Sequence, residues 1–273
     1  MKAVLSTNPR SGLGLLSIGL PIVMFIILSV AAPQFFTTTN VGNISNQITA
    51  LLIVALGQLI VALIGGIDIS VGSVVSLTSV IIVAVDPALA IPLALVAGVA
   101  VGLANGIGVV IAGVHPLIMT LATMTFVQGL ALLFQTGAGG TVPPYIGAIA
   151  SGQIAGIPTS LIWSIVAVAV VAFLLYRTRF GLRLFAIGAN AHSVELSGVR
   201  TKLPRIMCYI LCSTSGVVAG VYLTGRVFSA DPTMGQSFSL DSVTAIALGG
   251  VQQHVLQLLA LHEGVNVGRS KAP

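Results

Sequence analysis

Charge is scarce in this sequence: only 6% of its 273 residues are Asp, Glu, Lys or Arg, where a soluble globular domain carries roughly a quarter. A water-compatible surface is therefore excluded for most of the chain. Between Ser11 and Tyr176 there is no Lys or Arg at all. Nucleotide hydrolysis through a P-loop needs a Gly-Lys pair ahead of Ser or Thr to hold phosphates, and none of Lys2, Lys202 and Lys271 follows a glycine. A zinc helix of the HExxH type is missing, since His262-Glu263 runs on into Gly264, Val265 and Asn266. The GxSxG turn of a serine hydrolase is missing too. The histidines, at 115, 192, 254 and 262, are scattered and read as ordinary polar surface. Cys208 and Cys212 stand four apart on one face of an apolar run, the spacing of small packing residues and not of an oxidised pair. There is one tryptophan, Trp163, placed where an aromatic anchor would meet a membrane interface.

What the chain has instead is apolar length. Hydrophobic residues make up 56% of it, and a run of about 20 spans the roughly 30 Å hydrocarbon core as a helix. Such runs cover approximately 12–32, 44–64, 69–85, 88–112, 116–135, 159–176 and 205–225, with an eighth beginning near Leu240. The expected fold is all-α, a polytopic transmembrane helix bundle forming one domain over 1–250. Basic residues cluster at Lys2 and Arg10 and again at Arg177, Arg179, Arg183, Arg200, Lys202 and Arg205. Cytoplasmic loops collect Lys and Arg, so both clusters belong inside and six crossings separate them. The turns at 65–69 and 113–116 are the weak points, because a broken helix or re-entrant segment would give the same pattern. The first run is longer than the 7–15 residues of a signal-peptide core and reads as an uncleaved span with a cytoplasmic N-terminus.

The connections differ in kind. Segment 136–158 is uncharged and rich in Gly and Pro, which break helices, and reads as an external loop. Segment 177–205 is basic. Within it Asn190 is a plausible helix N-cap and Gly198 a plausible stop, so a short helix is expected there. No tandem repeat of short period is visible. Gly98, Gly102 and Gly106, and Gly216, Gly220 and Thr224, form small-residue stripes that let helix backbones approach in lipid. Thr120, Thr123, Met124, Gln128 and Gln135 fall on one side of the fifth run, where they line a pathway or bond across helices. Asp68 is the first acidic residue, in GGIDISVGS from Gly65 to Ser73. Gly65-Gly66 permits a sharp turn, and Asp68 or Ser70 either caps the third helix or takes part in solute passage, since intramembrane carboxylates usually serve a path or a pairing.

Four strings, ALGQLIVALIGGIDISVGSVVSLTSV, VGLANGIGVVIAGVHPLIMTLATMTFVQGLALL, TRFGLRLFAIGANAHSVELSGVRTKLPR and GRVFSADPTMGQSFSLDSVTAIALGG, resemble in order and spacing the ribose-type permeases of bacterial ABC sugar importers. The resemblance covers about 12–250. It implies about ten transmembrane helices, of which about eight are present, and import of a monosaccharide (ribose-like, xylose, galactose or related) across the bacterial inner membrane. It also implies a second permease subunit, identical or homologous, a cytoplasmic ABC ATPase and a periplasmic sugar-binding protein. ATP and magnesium would be held by the partner subunits, with no cofactor in this chain and no nucleic-acid partner. The segment with Asn190, Ala191, Glu195, Leu196, Ser197 and Gly198 is similar to the family's ATPase-coupling segment. Gly65, Gly66, Asp68, Ser70, Gly72 and Ser73 match its inner mouth, and with Thr120, Thr123 and Gln128 they make the expected path or gate. Arg226, Ser229, Pro232, Gly235 and Asp241 match its outer segment on the binding-protein side, where Ser239 stands in place of a frequent Glu. An ion-coupled secondary transporter using Asp68 is the alternative.

The resemblance is followed through Gly250. The remainder, 251–273, carries Gln252, Gln253, His254 and Gln257 and ends near Arg269 and Lys271. It reads as an atypical tail from a frameshift or truncation, or as a short amphipathic helix. The first reading leads one to expect a chain impaired in transport.

Overall fold

The computed structural model describes residues 12–154 and 157–249; the tail reading at 251–273 lies outside the described residues. Its elements in chain order are α1 Gly12–Ala31, α2 Thr38–Leu63, α3 Val71–Ala84, α4 Pro87–Val110, α5 Pro116–Phe134, α6 Pro144–Ala150, the hairpin strands β1 Gln153–Ile154 and β2 Ile157–Pro158, α7 Thr159–Arg177, α8 Arg179–Leu196, α9 Lys202–Val227 and α10 Phe238–Leu248. The fold is a helix bundle with the predicted spans close to their expected bounds. Starts and stops follow from local chemistry. Pro87, Pro116 and Pro144 occupy first-turn positions, where a missing N–H costs nothing, and the Asp86 carboxylate accepts from Ala88 N–H at 2.9 Å. Segment 136–158, expected as a plain loop, holds α6 and the hairpin.

The chain divides into two compact units after Ser45. Within the first, Phe25, Phe35 and Phe36 meet edge to face. The second holds the packed bundle. α9 is its axis: 67% of its most apolar window is buried, against 22% for α4 and 17% for both α5 and α7. The glycine stripes account for this. A Cβ on Gly98 would lie 2.3 Å from the Val217 side chain, on Gly102 2.5 Å from Ile210 Cα, and on Gly106 2.9 Å from the Ile206 side chain. α4 thus runs antiparallel to α9 at backbone contact. On another face of α9, Gly216 meets Val71 and Gly220 meets Val75 and Thr78, which seats α3 alongside. Apolar side chains gain little by leaving lipid tails, so such close approach supplies the association energy. Cys208 and Cys212 are free and buried in this core, as their spacing suggested.

Among the described residues, five helices, α2, α4, α5, α7 and α9, are long and apolar enough to cross a membrane. Leu93, Val96 and Val99 on α4, Phe126 and Leu133 on α5, and Ile165 and Phe173 on α7 are exposed. A surface of this kind is stable against acyl chains and not against water.

The third span departs from expectation. α3 has 14 residues, about 21 Å of helix, too short to cross alone. Its first residue packs on Gly216, midway along α9. Segment 64–70, which precedes it, is non-helical chain.

Candidate functional site

The break before α3 is built by a turn and then stabilised from three helices. Gly65 takes φ +73°, and Gly65 N–H and Gly66 N–H bond back to the Ala62 and Val61 carbonyls at 3.0 Å each. This paired closure needs a left-handed residue, which glycine adopts without strain. Gly66 is held close as well, since a Cβ there would lie 2.7 Å from the Tyr209 hydroxyl. The chain doubles back beside the last turns of α2, where Gln58 acts as a stand-in strand. With its amide oriented to suit, Nε2 donates to the Asp68 carbonyl at 2.9 Å and Oε1 accepts from the Asp68 N–H at 3.1 Å. An extended peptide inside a bundle has no ladder, and each buried group left bare would cost about 1–3 kcal/mol.

Asp68 is fully buried, and its partners are uncharged. Ser70 N–H and Oγ–H donate to Oδ1 at 3.0 and 2.6 Å. Asn105 Nδ2 on α4 lies 3.3 and 3.4 Å from the two carboxylate oxygens and 2.8 Å from Ser70 Oγ. Thr120 Oγ1 on α5 accepts from Ile69 N–H at 3.4 Å. Of the two capping candidates, Ser70 holds the N-cap position of α3 but makes no side-chain cap bond. Asp68 instead closes the turn before it, because its carboxylate is committed to Ser70.

A second break faces this one. After α9 the chain turns at Phe228, whose φ is +54°, and segment 229–237 folds back along α3. Ser79 Oγ donates to the Asp231 carbonyl at 2.9 Å, Ser76 Oγ accepts from Gly235 N–H at 2.9 Å, and Gly72 lies against Ser239, so the two segments cross antiparallel. Gly72 and Gly235 touch reciprocally: a Cβ on Gly235 would lie 1.9 Å from Gly72 O, and one on Gly72 2.4 Å from Gly235 O. Gln128 Nε2 donates to the Pro232 carbonyl at 2.6 Å.

The two segments carry one motif. Asp68-Ile-Ser-Val-Gly72-Ser-Val-Val-Ser76-Leu-Thr-Ser79-Val80 and Asp231-Pro-Thr-Met-Gly235-Gln-Ser-Phe-Ser239-Leu-Asp-Ser242-Val243 agree at Asp, Gly, both Ser, Leu and Val, with Ser70 matched by Thr233. The geometry repeats as well. Asp231 Oδ1 accepts from Thr233 N–H and Oγ1–H at 2.7 Å each, as Asp68 does from Ser70. Ser79 and Ser242 each donate to the carbonyl three residues back. One difference stands out: Ser76 Oγ is bonded, whereas its counterpart Ser239 Oγ is buried without a partner. This repeat was in the sequence and is the signal that would have found Asp231, Ser76, Ser79 and Ser239. A search for short-period repeats passes over copies so far apart.

Beside the crossing lies a cavity of about 520 Å³ between α3, α5, the return segment and α10. Ser73, Thr125, Gln128, Gln236 and Ser239 give it polar groups, and Met124, Gly129 and Leu132 its apolar side. The polar stripe of α5 is thus divided. Thr120 serves the Asp68 turn, Gln128 both bonds across and lines the cavity, and Gln135 Nε2 bonds Gly137 and Gly139 carbonyls at 2.8 and 3.2 Å. Thr123 Oγ1 turns back to its own helix at Met119 O, 3.0 Å away. Pro232 and Gly235, grouped by resemblance with the outer segment, are buried here. They touch the same elements as Gly72 and Gln128, so two residue groups set at opposite ends of a path meet inside the bundle. Arg226 and Ser229 are half-buried and Asp241 is exposed.

The basic segment 177–205 is more helical than expected. α8 begins at Arg179, capped by Thr178 Oγ1, and is interrupted at Asn190, whose φ and ψ are −165° and 96°. Asn190 Oδ1 accepts from Ser193 N–H at 2.9 Å, and Gly198, with φ +78°, closes the short second piece through Gly198 N–H to Glu195 O and Val199 N–H to Val194 O. The N-cap and the stop stand where sequence placed them. Glu195 is further tied to the Thr201 hydroxyl. Ala191 is half-buried; Ser197 and Gly198 are exposed, and Leu196 keeps 77% of its surface. A contact that sequence reading missed links this segment to the site: Gly188 lies on the Leu63 carbonyl at the end of α2, where a Cβ would stand 2.0 Å from that oxygen.

Comparison with known proteins places this geometry in context. Residues 40–260 match the family model described as branched-chain amino acid transport system / permease component, a match that runs past Gly250. The chain is 36% identical over 238 residues to the ribose import permease protein of Bacillus subtilis (strain 168), covering 84% of this chain and 73% of that protein. It is 31% identical over 242 residues to the D-allose transport system permease protein of Escherichia coli (strain K12), covering 85% and 73%. It is also 31% identical over 263 residues to the galactose/methyl galactoside import permease protein of Salmonella typhimurium (strain LT2), covering 85% and 78%. No solved structure matches it.

Proposed function

Because the chain belongs to the family of the branched-chain amino acid transport system / permease component, we infer that it is the multi-pass inner-membrane permease subunit of an ATP-binding-cassette importer that carries a monosaccharide. The ribose, allose and galactose permeases it resembles support sugar as the cargo. The chain works without covalent chemistry. ATP and magnesium are bound by a partner ATPase, a second permease subunit completes the path, and a periplasmic binding protein delivers the sugar at the side bearing Arg226 and Ser229.

The observation that carries the mechanism is the line from the short capped helix to the first break. Asn190 to Gly198 presents an exposed Leu196 and a firm N-cap and stop, suited to a rigid docking piece. Gly188, at its base, rests on Leu63, and Gly65 follows two residues later. Motion of the docked piece therefore presses on the hinge that sets Asp68, Ser70 and the start of α3. A two-position element of this kind is what alternating access requires. Proteoliposomes holding the chain, its ATPase and its binding protein are expected to accumulate labelled ribose, allose or galactose only with ATP. The broken helices and buried Asp68 also suit an ion-coupled carrier, and uptake by the chain alone under an ion gradient would establish that reading instead.

Orientation follows from the basic segment. With the N-terminus and 177–205 cytoplasmic, a cysteine at Arg183, which is exposed, resists an impermeant thiol reagent in intact cells and reacts after permeabilisation. Labelling from outside would reverse the topology.

A further inference from the structure

The sharp turn from α7 into α8 sets a charged helix at the end of an apolar span. α7 is uncharged up to its last residue, Arg177, and one extended residue, Thr178, separates it from Arg179 at the start of α8. Gly181 folds back on the end of α7, where a Cβ would lie 2.0 Å from Leu175 O. The first piece of α8, up to the break at Asn190, therefore starts at the level where the span leaves the hydrocarbon. At 3.6 residues per turn this piece has three sides. Gly181, Leu184 and Ile187 are buried against the bundle. Leu182, Phe185 and Ala189 lie exposed on a second side, within about 60° of one another, and Leu182 keeps 72% of its surface. Arg179 and Arg183 are exposed on the third. Tyr176, also exposed, stacks on Phe185 with ring centres 6.1 Å apart.

A side with a large aliphatic and an aromatic residue, next to a side with two arginines, suits neither water nor hydrocarbon alone. It suits the boundary between them, where an interfacial helix sinks its apolar side among acyl chains and keeps its cations at the head groups. Nothing within the chain answers the charge. Asp68 is committed to Ser70, Asp86 to the first turn of α4, Glu195 to the Thr201 hydroxyl and Asp231 to Thr233, and Asp241 stands in the first turn of α10. Among the described residues no ion pair forms at Arg177, Arg179 or Arg183. We propose that this outer surface of α8, with Tyr176 and Arg177 at the end of α7, binds the head groups of anionic phospholipids, the three arginines meeting phosphate charge while Leu182 and Phe185 enter the acyl layer. An orientation signal requires positive charge only; adjoining apolar and basic sides on one short helix give a lipid both of its contacts. Because the same piece reaches Gly188 on Leu63, a lipid held there sets the depth of the helix that carries the docking piece. That consequence rests on the import reading, whereas the binding does not.

Ala186, exposed between the apolar and basic sides, takes the reporter. The full chain carrying Ala186→Cys is labelled with bimane in neutral detergent, its own cysteines being buried, and titrated with phosphatidylglycerol or phosphatidylcholine at rising mole fraction in the micelles. Phosphatidylglycerol shifts the emission to the blue with half-saturation at least about 25-fold below that of phosphatidylcholine, since each arginine near an anionic surface is worth about fivefold. Arg183→Gln weakens the response about fivefold and Arg179→Gln/Arg183→Gln about 25-fold, while Arg179→Lys/Arg183→Lys restores it. The substituted positions are exposed, so melting temperatures in lipid-free detergent stay level. Equal half-saturation by the two lipids overturns the proposal, and so does an equal loss on Lys202→Gln, which would reduce the effect to net charge. A Gln pair that keeps its lipid response but no longer co-purifies with the ATPase gives the surface to that partner and overturns it too. The titration contains no ATP, sugar or partner subunit. Failure of sugar uptake therefore leaves the lipid site standing, and failure of the lipid response leaves the import reading standing.

Discussion

Gly235→Ala is expected to destroy the assembled bundle. The new methyl carbon would stand 1.9 Å from Gly72 O and 2.7 Å from the Val75 side chain. The first neighbour is backbone of α3, which the Ser76 and Ser79 hydrogen bonds clamp to the return segment, and it cannot swing away as a side-chain tip would. Ordinary overpacking costs about 1–3 kcal/mol; opening two crossed segments costs more, against a total stability of roughly 5–15 kcal/mol. Gly72→Ala meets the same obstacle from the other side. Gly129→Ala is the control, since a Cβ there meets nothing within 4 Å and a helical Gly→Ala exchange is worth up to about 1 kcal/mol in favour of the helix. Yield of monodisperse protein in detergent and its melting temperature separate these outcomes. A Gly235→Ala protein that melts with the wild type would show that the reciprocal contact is not needed.

Gly188→Ala is expected to leave the ATPase bound while uncoupling it. Residues Asn190 to Gly198 are untouched, so co-purification with the ATPase persists. The added carbon, 2.0 Å from Leu63 O, forces α8 off the end of α2, and the displacement of the docked piece no longer reaches Gly65. Sugar accumulated per ATP hydrolysed should fall by about tenfold or more, a factor of the size ordinary for coupled sites. An unchanged ratio of uptake to hydrolysis would place the transmission elsewhere, in α7 or α9 at the two ends of the segment.

Helix positions were legible because lipid imposes one rule on every span: about 20 apolar residues with internally satisfied backbone. The stripe Gly98, Gly102, Gly106 was legible for a related reason, since small residues at a spacing of four have few other uses in such a helix. Asn190 and Gly198 could be read as cap and stop because those roles depend on the backbone within a few residues. What escaped depends on distance. Gln58 looks like one more polar residue in a span, and nothing near it in sequence says that it pairs with the Asp68 peptide. Ser76 and Ser79 read as small helix residues until Asp231 and Gly235 are brought against them. Pro232 and Gly235 were grouped with the outer segment by resemblance, and nothing near them in sequence says that their segment folds back along α3. Gly188 gave no local sign of its contact with Leu63.

The crossing also governs the order in which the molecule can be made. Ribosomes deliver roughly 5–20 residues per second, so α3 enters the membrane well before Gly235 has been synthesised. During that interval Gly72 faces no partner, and Ser76 and Ser79 have only their own helix to bond. The early chain already contains the remedy for its most polar point. Gln58 precedes Asp68 and pairs with its peptide, and Asn105 follows soon after to share the carboxylate with Ser70. These two amides hold the unfinished hinge in place as a nascent scaffold until the C-terminal copy of the motif emerges and locks against the first.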